Sequence, residues 1–170
     1  MAAAALALLL ALLPGVDSST EARQFVQAFY SWYVPIVLGS HAESDIELAI
    51  TGRPRVFSEE LLRSLKSDAA AQKGADEIVA VSGSFDPFTA SQDPCERYEA
   101  GRVAVDGARY LVDVSAVCDG KKRTGPAVVI ELARTNGRWQ IANVRFPDGD
   151  NLLATIKRFQ EDRDRSRSRK

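Results

Sequence analysis

Histidine occurs once and cysteine twice in these 170 residues, at His41, Cys95 and Cys118. So thin a supply excludes a metal centre built from clustered imidazole and thiolate ligands. No Gly-rich phosphate loop and no nucleophile-elbow turn occurs, so nothing points to a nucleotide site or a serine hydrolase. Charge of one sign is lacking as well: 22 Lys and Arg stand against 23 Asp and Glu. A nucleic-acid surface needs a basic excess that this chain does not have. The long apolar run at the start ends by Leu13, short of the roughly 20 residues that a membrane span requires.

That run, Met1 to Leu13 followed by Pro14-Gly15 and the small-residue stretch Val16-Asp17-Ser18, reads as a secretory signal over residues 1–18. No Lys or Arg precedes it, and no Cys near residue 18 offers a lipid anchor. The remaining chain, with 45% hydrophobic residues overall, suffices for one domain with its own core. We place that domain at residues 19–160. Residues 161–170 alternate Arg with Asp and Ser and carry no apolar side chain, so they read as a disordered charged tail.

Within the domain, Arg97 to Phe146 reads as four antiparallel strands. Asp106-Gly107 and Asn136-Gly137 each separate alternating apolar runs, as two-residue hairpin turns do. Val105 then faces Ala108, and Thr135 faces Arg138. Alternation puts Val103, Val105, Tyr110, Val112, Val114, Ala116 and Cys118 on one face of the first hairpin. Val128, Ile130, Leu132, Trp139 and Ile141 form the matching face of the second. These faces are the buried ones, and they carry no acid beyond Glu99 near the open end. Asn143, Arg145 and Arg134 share the inward parity, whereas Asp113, Glu131, Val129, Val144 and Phe146 point outward. The same register carried to the open end sets Cys95 opposite Cys118. Paired residues there lie within reach of a disulfide, and an exported chain meets oxidising conditions.

An apolar sheet face needs helices to cover it. Ala22, Phe25, Val26, Phe29, Trp32, Tyr33 and Ile36 form one stripe of a helix over Ser18 to Leu38, with Ser18 and Glu21 at capping-box spacing. Pro35 is expected to end or kink it. A short helix follows at Asp45 to Thr51. A further helix, capped by Ser58 and ending near Lys73-Gly74, carries Leu61, Leu62, Leu65 and Ala69. Residues 75–84 are ambiguous between strand and helix, and Phe85 to Tyr98 reads as loop. Pro147 to Asp150 caps a last short helix with Leu152, Leu153, Ile156 and Phe159. The fold class is therefore α+β, with two or three N-terminal helices on a curved four-stranded antiparallel meander and a short C-terminal helix.

This order of elements, ending in G-R-W-Q-I-A-N-V, resembles the cone-shaped roll of the nuclear transport factor two-like superfamily, over Thr20 to about Phe159. More narrowly, R-P-R-V-F-S-E-E-L-L at Arg53 to Leu62, D-P-F at Asp86 to Phe88, Q-D at Gln92-Asp93 and P-D-G-D-N-L at Pro147 to Leu152 resemble an uncharacterised bacterial exported group, domain-of-unknown-function family 3828. The resemblance implies the roll fold and an envelope location, and it brings no established activity.

The candidate ligand-binding residues are Trp32, Tyr33, Asp86, Gln92, Asp93, Asn143 and Arg145. Asp86, Gln92 and Asp93 either orient a ligand at the mouth of the cone or make turn-stabilising bonds to backbone amides. Asn143 is either a ligand contact or a satisfied core amide. Arg145 at the rim can hold an anion, with Trp32 and Tyr33 supplying apolar contact. The sequence calls for no catalytic residue, metal or cofactor. It suggests a noncatalytic exported protein that binds a protein partner or small ligand, with a homodimer compatible. The alternative is an isomerase or dehydratase using Asp86 or Asp93 with Tyr33 or Tyr110.

Overall fold

The computed structural model describes residues 17–169. The expected signal segment thus lies outside the described residues except at its last two positions. Four helices and five strands follow in order: α1 Ser18–Val37, α2 Asp45–Gly52, α3 Glu59–Gln72, β1 Arg97–Asp106, β2 Arg109–Cys118, β3 Lys121–Lys122, β4 Val128–Thr135, β5 Arg138–Arg145 and α4 Leu152–Arg167. Residues 75–84 hold only a 3-10 turn at Val81–Gly83. The strands form one open antiparallel sheet in the order β1-β2-β4-β5, with β3 paired to the end of β2. The expected α+β class and meander are what the chain forms.

The helices differ from expectation at their ends. Asp17, not Ser18, precedes α1, and no side chain caps it; the Ser18 and Glu21 box is not made, and Glu21 instead pairs with Arg134 at 3.3 Å. The capping box occurs at α2, where Ser44 and Glu47 bond reciprocally. Pro35 sits inside α1 without ending it. Lying in the last turn, it removes one ladder donor while Leu38 N still reaches the Val34 carbonyl at 3.1 Å. The C-terminal helix continues to Arg167, where the sequence reading gave a disordered tail. Lys157 pairs with Glu161 and Arg165 with Asp162 at helical spacing, and Arg163 donates to the Val79 carbonyl at 2.6 Å. The alternating charges that looked like a solvated coil form side-chain pairs along one helix.

Two β-bulges govern the sheet. The first turn lies one residue later than expected, at Gly107-Ala108, so that Asp106 pairs with Arg109 and Val105 with Tyr110. The shift preserves parity, and Val112 and Val114 are fully buried as expected. Between Ala100 and Val103 one extra residue in β1 breaks the ladder. Beyond it parity inverts: Tyr98 turns in, and Glu99 turns outward opposite Ser115 to pair with Arg97 and Lys122. The second hairpin keeps the expected register from Thr135 to Leu132, then bulges at Ala142. Val144 consequently faces Ile130 and is fully buried, while Asn143 and Arg145 lie opposite Glu131 and Val129. The inward parity read for Asn143 and Arg145, and the outward parity read for Val144, are thereby reversed.

The core joins α1 to the inner face of the sheet. Because β1 is an edge strand, its outward backbone groups need partners, and α1 supplies them. Gln27 accepts from Ala100 N at 2.9 Å and donates to the Tyr98 carbonyl at 3.2 Å, and Arg23 donates to the Gly101 carbonyl at 2.8 Å. At the opposite edge Ser58 N donates to the Ile141 carbonyl at 2.8 Å. Cys95 and Cys118 form the expected disulfide, with Cα atoms 4.8 Å apart. Among the described residues no helix is long and apolar enough to cross a membrane.

Candidate functional site

The loop between α3 and β1 folds back on itself. Asp86 and Ser91 exchange backbone hydrogen bonds at 3.1 and 3.4 Å, and Ala90 takes a positive φ of 52° to close the turn between them. Asp86 holds that turn from inside. Its Oδ1 accepts from Phe88 N at 2.9 Å and from the Tyr33 hydroxyl at 2.8 Å, and its Oδ2 accepts from the Thr89 hydroxyl at 2.8 Å. Tyr30 donates to the Phe88 carbonyl at 2.5 Å. Two tyrosines of α1 therefore pin the loop, which the spacing of the α1 stripe alone does not reveal.

Phe88 is the plug that this loop delivers. Its ring lies 5.4 Å from Phe29, 5.2 Å from Tyr33 and 5.6 Å from Phe57, and all four side chains are at most 1% exposed. The space beneath the helices is filled by rings. Outside the plug, an open cleft of about 210 Å³ runs between α2 and the loop, with Asp45, Ile46, Ser84, Phe85, Asp86 and Gln92 on its walls.

Burial pushes the Asp86 carboxyl up to about 6, against the opposing hydrogen bonds from Phe88, Thr89 and Tyr33. Burial, and next the adjacent Asp86, raise the Tyr33 hydroxyl well above its ordinary value. Asp45 is also raised by burial, partly offset by His41.

Of the sequence-derived candidates, the structure brings Tyr33 and Asp86 into contact and places Gln92 beside them, its amide donating to the Ser84 carbonyl at 2.7 Å. Asp93 is exposed, and its backbone N–H bonds to the Ser91 hydroxyl. Trp32 is half-buried on α1 beneath the Arg53 guanidinium, 4.6 Å from its ring. Asn143 and Arg145 are elsewhere. Asn143 accepts from Leu153 N at 3.2 Å and donates to Asn151 at 3.0 Å, tying β5 to the first turn of α4. Arg145 bonds Glu131 at 2.9 Å, with Arg109 3.5 Å from the same carboxylate. Tyr110 packs on Trp139 at 4.8 Å, at the opposite end of β2 from Cys118. The arrangement in which Arg145 anchors an anion against Trp32 and Tyr33 is thus not assembled, because the Ala142 bulge turns Arg145 to the outer face and Tyr33 is fully buried.

Two acidic residues escaped the sequence reading. Asp68, fully buried on α3, accepts from Val81 N at 3.0 Å and Ser82 N at 2.9 Å. Its signal was available, since Leu61, Leu65, Asp68 and Ala69 fall on one helical stripe. Asp45 has no such signal, because only the tertiary fold brings α2 to the loop. A crystal structure of a protein of unknown function from Bacteroides thetaiotaomicron VPI-5482 is similar at 16% identity and a TM-score of 0.49, over 74% of this chain and 89% of that one. No family model matches the chain, and no curated protein matches it.

Proposed function

We propose that this is an exported binding protein of the cell envelope that catalyses no reaction and takes its ligand at the cleft beside Asp86. The observation that carries the reading is the filled interior: Phe29, Tyr33, Phe57 and Phe88 occupy the space a substrate would need. Asp86 spends three acceptor positions on its own loop and Tyr33. The disulfide supports export, since such bonds persist in oxidising compartments, as does the resemblance to an exported group.

The enzyme reading has one specific observation in its favour. A buried carboxyl raised to about 6, with Tyr33 at 2.8 Å and a cleft alongside, is the kind of group that general bases are made from. Against it stands Tyr33, which is fully buried and cannot touch a substrate. Purified protein incubated with small hydroxy acids and ketones and followed by proton NMR is expected to turn over none of them. Turnover lost in a folded Asp86→Asn variant would establish the enzyme instead. N-terminal sequencing of protein from the producing cells is expected to begin near residue 18, and a retained Met1 would contradict export.

A further inference from the structure

The chain holds three asparagines, Asn136, Asn143 and Asn151, and the fold treats them unequally. Asn143 donates to Asn151 at 3.0 Å and accepts from Leu153 N at 3.2 Å, while Asn151 accepts from Ala154 N at 3.0 Å. Each of these two is followed by a fully buried residue, Val144 or Leu152. Val144 N lies 2.9 Å from the Asn143 side-chain oxygen, but burial disfavours the amide anion that an attack on that side chain requires.

Asn136 lies at the tip of the β4–β5 hairpin, where residues 134–138 are all exposed. Thr135 and Arg138 pair, and between them Asn136 and Gly137 take positive φ of 51° and 76°, the two-residue turn that Asn-Gly favours. The closing bond of such a turn joins its outer residues, so the Gly137 N–H projects from the tip. A Cβ built at Gly137 would meet nothing within 4 Å, so no neighbour shields that nitrogen from water or base. The three Asp-Gly pairs, at Asp106, Asp119 and Asp148, differ from it. A carboxylate is a poorer electrophile than an amide, and at two of them the following nitrogen is already engaged. Gly120 N donates to Glu96 at 2.8 Å, and Gly149 N to the Phe146 carbonyl at 3.1 Å.

We propose that Asn136 is a site of spontaneous modification, at which the side-chain amide is lost through a cyclic imide formed with Gly137. Base removes the Gly137 N–H proton, and the nitrogen attacks Asn136 Cγ. The N–Cγ bond forms, the Cγ–Nδ2 bond breaks, and the amide nitrogen leaves as ammonia after taking a proton from water. Water then opens the imide at either carbonyl. Opening at Cγ gives aspartate, and opening at the main-chain carbonyl gives isoaspartate, whose chain runs on through Cβ and Cγ. Ring closure needs the Asn136–Gly137 peptide to rotate out of the turn, which opens the last pair of the ladder and leaves the core untouched. The isoaspartyl chain is longer by one backbone atom, so the two-residue turn no longer fits it. Arg134, which donates to the Gly137 carbonyl at 3.2 Å and lies 5.0 Å from the Trp139 ring, then loses its fixed place over that ring.

The test is to age the folded, disulfide-bonded protein in mildly alkaline, ammonia-free buffer and follow each asparagine by peptide mapping. Amide loss at Asn136 is expected to run about tenfold or more faster than at Asn143 or Asn151, the ratio that one extra hydrogen bond in the opening step produces. Electron-transfer fragmentation is expected to find isoaspartate beside aspartate at position 136. Aspartate alone would mean direct hydrolysis and would overturn the imide. Asn136→Asp carries the new charge without lengthening the chain and is expected to keep the near-UV spectrum of the fresh protein, whereas the isoaspartate fraction loses part of the Trp139 signal. Equal spectra for the fresh protein and the isoaspartate fraction would overturn the coupling to the turn. Loss at Asn143 or Asn151 as fast as at Asn136, or an Asn136 amide that survives in the folded protein while the same protein in urea loses it, would overturn the site.

Discussion

Asp86 holds its loop at an energetic cost that depends on pH. A carboxyl whose folded pKa of about 6 lies above its ordinary 3.8 binds its proton more tightly in the native state than in the unfolded chain. Its favourable contribution is complete below about pH 4 and is lost as pH rises through 6, a difference on the order of 3 kcal/mol. The tyrosines around it separate from this window: Tyr30, Tyr33 and Tyr98 are raised above the tyrosine value by burial first. Asp45 shifts in the same direction as Asp86. Glu96 and Asp150, lowered chiefly by hydrogen bonds from Gly120 N and Arg158, act oppositely and at lower pH. Urea denaturation of the wild type and of Asp86→Asn at pH 4.5 and 7.5 isolates the residue. The wild type is expected to lose stability relative to the variant as pH rises, and parallel pH profiles would show that Asp86 titrates normally.

Asp68 gives a second test at this scale. Removing its carboxylate in Asp68→Ala orphans the N–H groups of Val81 and Ser82 beneath the loop. Leaving one buried and one part-buried donor unsatisfied costs about 2–4 kcal/mol together, read as a lower urea midpoint with unchanged slope. A change within 0.5 kcal/mol, the usual range for a surface substitution, would mean that water replaces the carboxylate.

At the scale of elements, helices and strands were legible because period and turn chemistry are local. Leu61, Leu65 and Ala69, or Val112 and Val114, announce their buried faces by spacing alone. Bulges are not local in that sense. Nothing about Ala142 distinguishes it from a paired strand residue, and the extra residue is defined only by its partner strand, where Glu131 meets Asn143 and Leu132 meets Ile141. One uncounted residue moved Asn143 and Arg145 out of the candidate site and Val144 into the core. Deleting Ala142 would make the ladder regular while leaving Asn143 opposite Glu131 and Val144 opposite Ile130, so that Val144 stays in the core. Near-UV circular dichroism is expected to keep the signature of fixed aromatic packing in this deletion, whereas its loss would mean that the bulge itself, and not only the register beyond it, is needed to seat β5. The site was legible at Tyr33, Asp86 and Gln92, which share a loop and the helix that pins it, and illegible at Asp45, which joins them only through tertiary packing.

At the scale of the whole molecule, the disulfide links the loop that carries Phe88 to the end of β2. Its formation does not follow from strand register. The turn at Gly107-Ala108 and the bulge after Ala100 together bring Arg97 opposite Val117, so the ladder continued would put Glu96, not Cys95, across from Cys118. The bridge forms two residues before the start of β1 because the chain is held there on both sides. Tyr98 accepts from Cys95 N at 3.2 Å, and Glu96 accepts from Asp119 N at 3.0 Å and Gly120 N at 2.8 Å. These bonds place both cysteines before oxidation, so the native contacts survive its loss and the effect falls on the unfolded chain. With 23 residues separating the cysteines, the chain-entropy estimate is roughly 3 kcal/mol. A Cys95→Ala, Cys118→Ala variant is expected to keep the native near-UV spectrum and to unfold at lower urea by that amount, with a larger slope because its unfolded state is less constrained. Equal midpoints for the two proteins would show that the hydrogen bonds around Tyr98 and Glu96 already restrict the unfolded chain as much as the covalent bond does.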